Sequence, residues 1–227
     1  MDLNILVLAA EEHKDTKPIP CLQDYKNTTL LQYICKNTLP KNRCHYTFVF
    51  QKNAIIKYHL DNIAKILVPD AKILSLSGMT GGSACTALYA ACVIDQSKPL
   101  LIVSTNEVVD INYNDVIITF LNFNADAAVI TFESIHPRYS YAKFTNGVIT
   151  EFAQQNPISS TATTGSFLFR KTSDFVFAAK QSILKHTLNA QKFYIAPIFN
   201  QLILKNMTIN HYDVNDRYIP FKTEDCW

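Results

Sequence analysis

A chain of 227 residues with a formal net charge of +2 and 48% hydrophobic side chains can bury a full core, and its dispersed lysines form no basic stripe for nucleic acid or an anionic membrane. No apolar run approaches the roughly 18 residues that cross a bilayer, and Met1-Asp2-Leu3-Asn4 lacks the basic stretch ahead of an apolar segment that marks a secretory signal. A soluble, cytoplasmic chain is expected, working on a compact ligand or on a protein partner, a second copy of itself included. Six cysteines without Cys-x-x-Cys spacing, several inside apolar runs, read as reduced, packed thiols. The adjacent Cys44-His45 pair lacks the further convergent ligands of a metal site.

In chain order, Asn4 to Ala9 is a near-continuous apolar run of the kind buried on both faces of a parallel sheet, and Tyr46–Phe50, Lys72–Leu76 and Leu100–Val103 repeat it. These four strands are predicted to lie side by side. Helical spacing predicts crossovers at Thr29–Cys35, through Ile56, Leu60, Ile63 and Leu67, and from Ser83 to Ile94. Asn114 is positioned to cap a helix through Val116, Ile117, Phe120 and Leu121, and Ala127–Phe132 follows as a strand. Asn146-Gly147 predicts a hairpin turn, and a strand at Ser166–Phe169 and helices at Asp174–Leu184 and Pro197–Leu204 complete the alternation. The pattern specifies one α/β domain over 1–227, a mostly parallel central sheet flanked by helices.

Several segments in fixed order carry a resemblance. They are the first strand ending in Ala9-Ala10, Lys17-Pro18-Ile19-Pro20-Cys21-Leu22, the stretch from Pro99 to Asp110, Tyr139–Lys143, Asn156–Ser159, Ala162–Gly165 and Phe193–Asn200. Together they resemble the bacterial-type sugar-phosphate nucleotidyltransferases, the nucleotide-sugar pyrophosphorylases, over the whole chain to Thr223-Glu224-Asp225. The resemblance implies a Rossmann-like nucleotide-sugar transferase fold and a reaction joining a nucleoside triphosphate to a sugar phosphate or related metabolite. Pyrophosphate leaves, Mg²⁺ assists, and the product feeds surface polysaccharide synthesis.

The resemblance also implies where the chemistry sits. The family follows its first strand with a glycine-rich loop carrying a basic residue, because glycine lets backbone amides approach phosphate. Ala9, Ala10 and Glu11 open that segment here, no glycine follows, and Glu12 and Asp15 add carboxylates, so Lys14 is the candidate replacement cation. The family's phosphate lysine falls on Ile19, with Lys17 retained two residues earlier. Its metal aspartate falls on Asn106, with Asp110 nearby as a second candidate ligand and Glu107 expected on the other side of the strand. The Glu-Lys pair that holds the substrate falls on Gln154-Gln155. Gly81, Gly82 and Ser83 stand at the nucleobase position, ahead of a helix N-terminus suited to anions, and read equally as an ordinary turn with a serine cap. Thr164 and Gly165 keep the substrate-side turn, and Tyr139 and Tyr141 are expected to flank a sugar-stacking face.

Neutralisation at four charged positions makes a second reading stand beside the first: a domain of the same fold that binds a nucleotide, a sugar or a protein without turnover. A glycosyltransferase is the third, but Ser104-Thr105-Asn106-Glu107 lacks the Asp-x-Asp that class uses.

Overall fold

The computed structural model describes residues 2–11, 19–38, 44–186 and 192–220. The chain runs through β1 (Leu3–Ala9), a small hairpin of β2 (Asp24–Tyr25) and β3 (Thr28–Thr29), α1 (Leu30–Thr38), β4 (Cys44–Gln51), α2 (Lys52–Tyr58), α3 (Leu60–Leu67) and β5 (Lys72–Leu76). It continues through α4 (Ser83–Ala90), β6 (Leu100–Ser104), β7 (Glu107–Val109), α5 (Tyr113–Asn122), β8 (Ala127–Glu133), β9 (Ser140–Thr145), β10 (Val148–Gln154) and β11 (Thr161–Phe169). It closes with α6 (Thr172–His186), α7 (Ile195–Ile203), β12 (Ile209–Asp213) and β13 (Tyr218–Pro220).

The four apolar runs pair in parallel as one block, β6-β1-β4-β5. Alternation along β1 shows why its sequence is apolar throughout. Ile5 and Val7 enter the layer built with α1, α3 and α5, while Leu6 and Leu8 enter the layer built with α4, α6 and α7. The central sheet of nine strands is mostly parallel and flanked by these two helical layers, with β12 also parallel to β8. Antiparallel β11 joins the halves. Its Ser166–Phe169 stretch pairs with β6, and its register against β8 shifts between Thr163 and Phe167. Beyond β11 lie β9 and β10, whose turn holds Asn146 at φ 52° and Gly147 at φ 77°, the two left-handed residues the Asn-Gly signal predicts. β7 and β13 form a separate two-stranded ribbon.

Three local expectations are corrected. The helix through Ile56 and Leu67 is two helices broken at His59, whose φ of 52° closes α2 and redirects the chain, so that Leu60 and Ala64 of α3 reach the core while Ile56 stays in solvent. Helix α4 stops at Ala90 and passes into a single 3-10 turn, Ala91–Val93. Asn112 rather than Asn114 caps α5: its side chain accepts the Asn114 N–H at 3.0 Å. Among the described residues the cysteines are unbridged, and burial pushes the Cys21 and Cys35 thiols up to about 12, as expected of packed, unreactive groups. No helix of the described residues is long and apolar enough to cross a membrane.

Candidate functional site

The parallel block brings the ends of β1, β4 and β6 to one edge of the sheet. Gln51 Nε2, closing β4, donates to the Ala10 carbonyl at 2.9 Å, and the Thr105 N–H beyond β6 donates to the Leu8 carbonyl at 3.2 Å. Ala9 and Ala10 therefore sit at the centre of that edge, with Glu11 exposed beside them. Lys14 and Lys17 lie outside the described residues. Ile19, where the resemblance implies a phosphate lysine, is 5% exposed and packed in the core with Cys21 and Leu31, so its side chain serves packing.

At the head of α4 the backbone requires a glycine at Gly82 and not at Gly81. Gly82 has φ 121°, and a Cβ added there would stand 2.3 Å from the Phe193 carbonyl oxygen. That approach exists because the Phe193 N–H donates to the Gly81 carbonyl at 2.6 Å and the Phe193 carbonyl accepts the Ala84 N–H at 3.0 Å. Ser83 is not the cap. Gly82 occupies the cap position with no side-chain bond, and the neighbouring Thr80 hydroxyl bonds the Gly82 carbonyl at 3.0 Å and the Thr86 hydroxyl at 2.7 Å. One of the amides that would face an anion at this helix start is thus taken by a backbone carbonyl from far along the chain. No motif at Gly81-Gly82 signals Phe193; its only sequence signal is its place at the start of the Phe193–Asn200 stretch.

Around the end of β6 the charged side chains turn away from one another. Asn106 donates its N–H to the Ser104 hydroxyl at 3.3 Å, and its Oδ1 is sealed from solvent with no hydrogen-bond partner. Glu107, 8% exposed, accepts the Gly165 N–H and, at 3.0 Å, the Tyr218 hydroxyl. The carboxylate takes an amide at the register shift of β11, in a short strand, β7, whose three residues are all buried. Gly165 is needed there, since a Cβ would meet the Ser104 Cβ at 2.7 Å. Asp110 accepts from Lys26 Nζ at 2.7 Å and from the Tyr33 hydroxyl at 2.5 Å; these donors, Lys26 first, hold its carboxyl below the usual range.

On the β9-β10-β11 side, Gln154 accepts from the Ser140 hydroxyl, and Gln155 is exposed with φ 54°. Thr164 is buried, its hydroxyl accepting the Ser166 N–H at 3.2 Å. The expected stacking face is corrected: Tyr141 is 0% exposed with its hydroxyl bonded to the His136 carbonyl, and Tyr139 packs edge-on against Phe132 and Tyr218. Aromatic residues at alternating strand positions served the core here. A polar cleft of about 480 Å³ opens elsewhere, on the α1–α5 layer, lined by Tyr33, Lys36, Asp110, Asn112 and Arg217 among others; of the anticipated site residues it includes Asp110 alone.

No protein-family model matches the chain, and no curated protein matches it in sequence. Solved structures match it in fold. A nucleoside-diphosphate-sugar pyrophosphorylase from Vibrio cholerae RC9 superimposes with a TM-score of 0.78 at 18% identity, covering 97% of this chain and 96% of that one. The chain has the nucleotidyltransferase fold. An inositol-1-phosphate CTP transferase from T. maritima (TM-score 0.70, 10% identity, 94% and 86% covered) and a UDP-glucose pyrophosphorylase in complex with UDP-glucose (0.69, 14%, 95% and 91%) share it.

Within this nucleotidyltransferase fold the described residues do not fit a Mg²⁺ site. Such an ion takes hard oxygen ligands, normally with one or two carboxylates. Asn106 offers a neutral, sealed oxygen, Glu107 is committed to Gly165 and Tyr218, and Asp110 to Lys26 and Tyr33. No group of three or more His, Cys, Asp or Glu side chains placed to hold a metal occurs among the described residues.

Proposed function

We propose that this chain binds a nucleotide and a phosphorylated sugar or related metabolite across the strand-end edge, with the base against Gly81-Gly82-Ser83 and the sugar toward Gln154, Gln155, Thr164 and Gly165. The reaction type is that of a sugar-phosphate nucleotidyltransferase. A substrate phosphate oxygen forms a bond to the α-phosphorus of a nucleoside triphosphate, and the bond to the departing pyrophosphate breaks. The observation that carries the reading is the end-to-end match, 97% of this chain and 96% of its counterpart, to a nucleoside-diphosphate-sugar pyrophosphorylase. Supply of activated sugars for surface polysaccharides is the role such a product would serve.

Catalysis of this type is positioning plus cations around the transferring group. Lys14 and Lys17, between Glu11 and Ile19, are the basic residues we assign to the phosphates. The described residues do not supply ligands for a metal beside them. A second reading, binding without turnover, is favoured by the specific loss of charge at Ile19 and Asn106 and by the commitment of Glu107 to backbone and tyrosine donors.

A thermal-shift panel of nucleoside triphosphates, nucleoside diphosphate sugars and sugar phosphates, each with and without Mg²⁺, separates the two. A ligand at about one hundred times its Kd stabilises the folded chain by roughly 2.7 kcal/mol, which for this length raises Tm by about 5–10 °C. Stabilisation together with pyrophosphate release supports the transferase. Stabilisation without release supports a nucleotide- or sugar-binding domain, and no shift by any nucleotide or sugar in a folded sample overturns both of these and leaves a protein as the ligand.

A further inference from the structure

Helix α7 is attached to both sides of the strand-end edge. At one end, Asn200 reaches the open edge of β10, where its Oδ1 accepts the Phe152 N–H at 2.8 Å and its Nδ2 donates to the Phe152 carbonyl at 2.8 Å. β10 pairs with β9 alone, so these are backbone groups the sheet would otherwise present as an unpaired edge. The side-chain amide supplies both bonds a neighbouring strand would make, with the Phe152 and Phe199 rings packed 5.2 Å apart beside it. At the other end, Phe193, two residues ahead of the helix, exchanges its two backbone bonds with Gly81 and Ala84. Along the helix Ile195, Ile198, Phe199 and Leu202 are buried in the layer shared with α4 and α6.

We infer that α7 is a strut that holds the Gly81–Ser83 turn and the strand ending in Gln154 in one fixed relation, with Asn200 and Phe193 as its two attachment points. A helix packed at interior density moves as a unit, so loosening one attachment displaces the other. Asn200 is on this view a positioning residue for a turn it does not touch. The inference holds whether or not the edge turns over a substrate.

Amide hydrogen exchange resolved by NMR on the full chain tests it. In Asn200→Ala the Phe152 amide is expected to exchange about tenfold faster, the loss of its acceptor being of that size. The Ala84 and Phe193 amides should also exchange several-fold faster, while Ile34 and Phe120 in the opposite layer keep their wild-type rates. Asn200→Asp retains the acceptor for the Phe152 N–H and loses the donor, and should show the same pattern at smaller amplitude; it decides the matter if the alanine variant does not fold. Acceleration confined to Phe152 would overturn the inference, and so would uniform acceleration that includes Ile34 and Phe120, which is global destabilisation.

Discussion

Replacing Gly82 with alanine tests the architecture of the α4 head directly. The backbone at φ 121° is one that an L side chain adopts only with strain, on the order of 1–3 kcal/mol. The new Cβ would also stand 2.3 Å from the Phe193 oxygen and 2.7 Å from its nitrogen, and both are backbone atoms that no side-chain rotation can move aside. The segment at Phe193 must therefore shift, which removes its bonds to Gly81 and Ala84, at about 1 kcal/mol each. The total is roughly 3–5 kcal/mol, equivalent for a chain of this size to a Tm lowered by about 6–20 °C. Gly81→Ala is the control: its Cβ would approach only the Cys85 Sγ, at 3.2 Å, and the Phe193 ring, at 3.8 Å, so a cost near 1 kcal/mol is expected. Urea denaturation of both variants reads the difference. A Gly82→Ala cost below about 1 kcal/mol, or one equal to that of Gly81→Ala, would refute the reasoning that Phe193 fixes this turn.

Other perturbations follow from single contacts. Glu107→Ala leaves the Gly165 amide and the Tyr218 hydroxyl without their buried acceptor and should cost about 2–4 kcal/mol in urea denaturation, with Glu107→Gln, which keeps one acceptor, costing less. Asn4, buried at the start of β1, donates to the Asp95 carbonyl at 2.8 Å and the Thr172 hydroxyl at 3.0 Å; Asn4→Leu should cost roughly 1–3 kcal/mol by the same measurement. Because Lys26 and Tyr33 hold the Asp110 carboxyl below its ordinary value of about 3.9, its stabilisation is complete above that pH and is lost as pH falls through the lower folded value. Asp110→Asn should flatten the acid limb of a stability-against-pH curve by less than about 1 kcal/mol, since the pair is exposed to solvent. An effect appearing near neutral pH would contradict that assignment.

The layered fold was legible because it rests on local periodicity. The unbroken apolar run at Asn4–Ala9 can be buried only where both faces of a strand are covered, and Asn146-Gly147 can adopt its two left-handed residues almost anywhere in a chain. Less visible was what each polar residue would bond. Ser83 and Asn114 read as caps on local grounds, yet Gly82 with Phe193 and Asn112 with the Asn114 amide occupy those roles, because a remote carbonyl or a shift of two residues satisfies the same helix end. Tyr141 reads as a ring for stacking, and only the packing of β9 between β10 and β11 decides that it is buried.

By itself, the sequence determined the parallel block of four strands and the Asn146-Gly147 turn, since these depend on residue type and spacing along the chain. Only the tertiary structure decided that Glu107 joins β7 to β11 and β13, that Asp110 belongs with Lys26 and Tyr33, that Phe193 bonds Gly81 and that Asn200 of α7 bonds Phe152. The physical reason is that a hydrogen bond is satisfied by whichever complementary group folding brings within about 3 Å, and for these residues the partner lies tens of positions away.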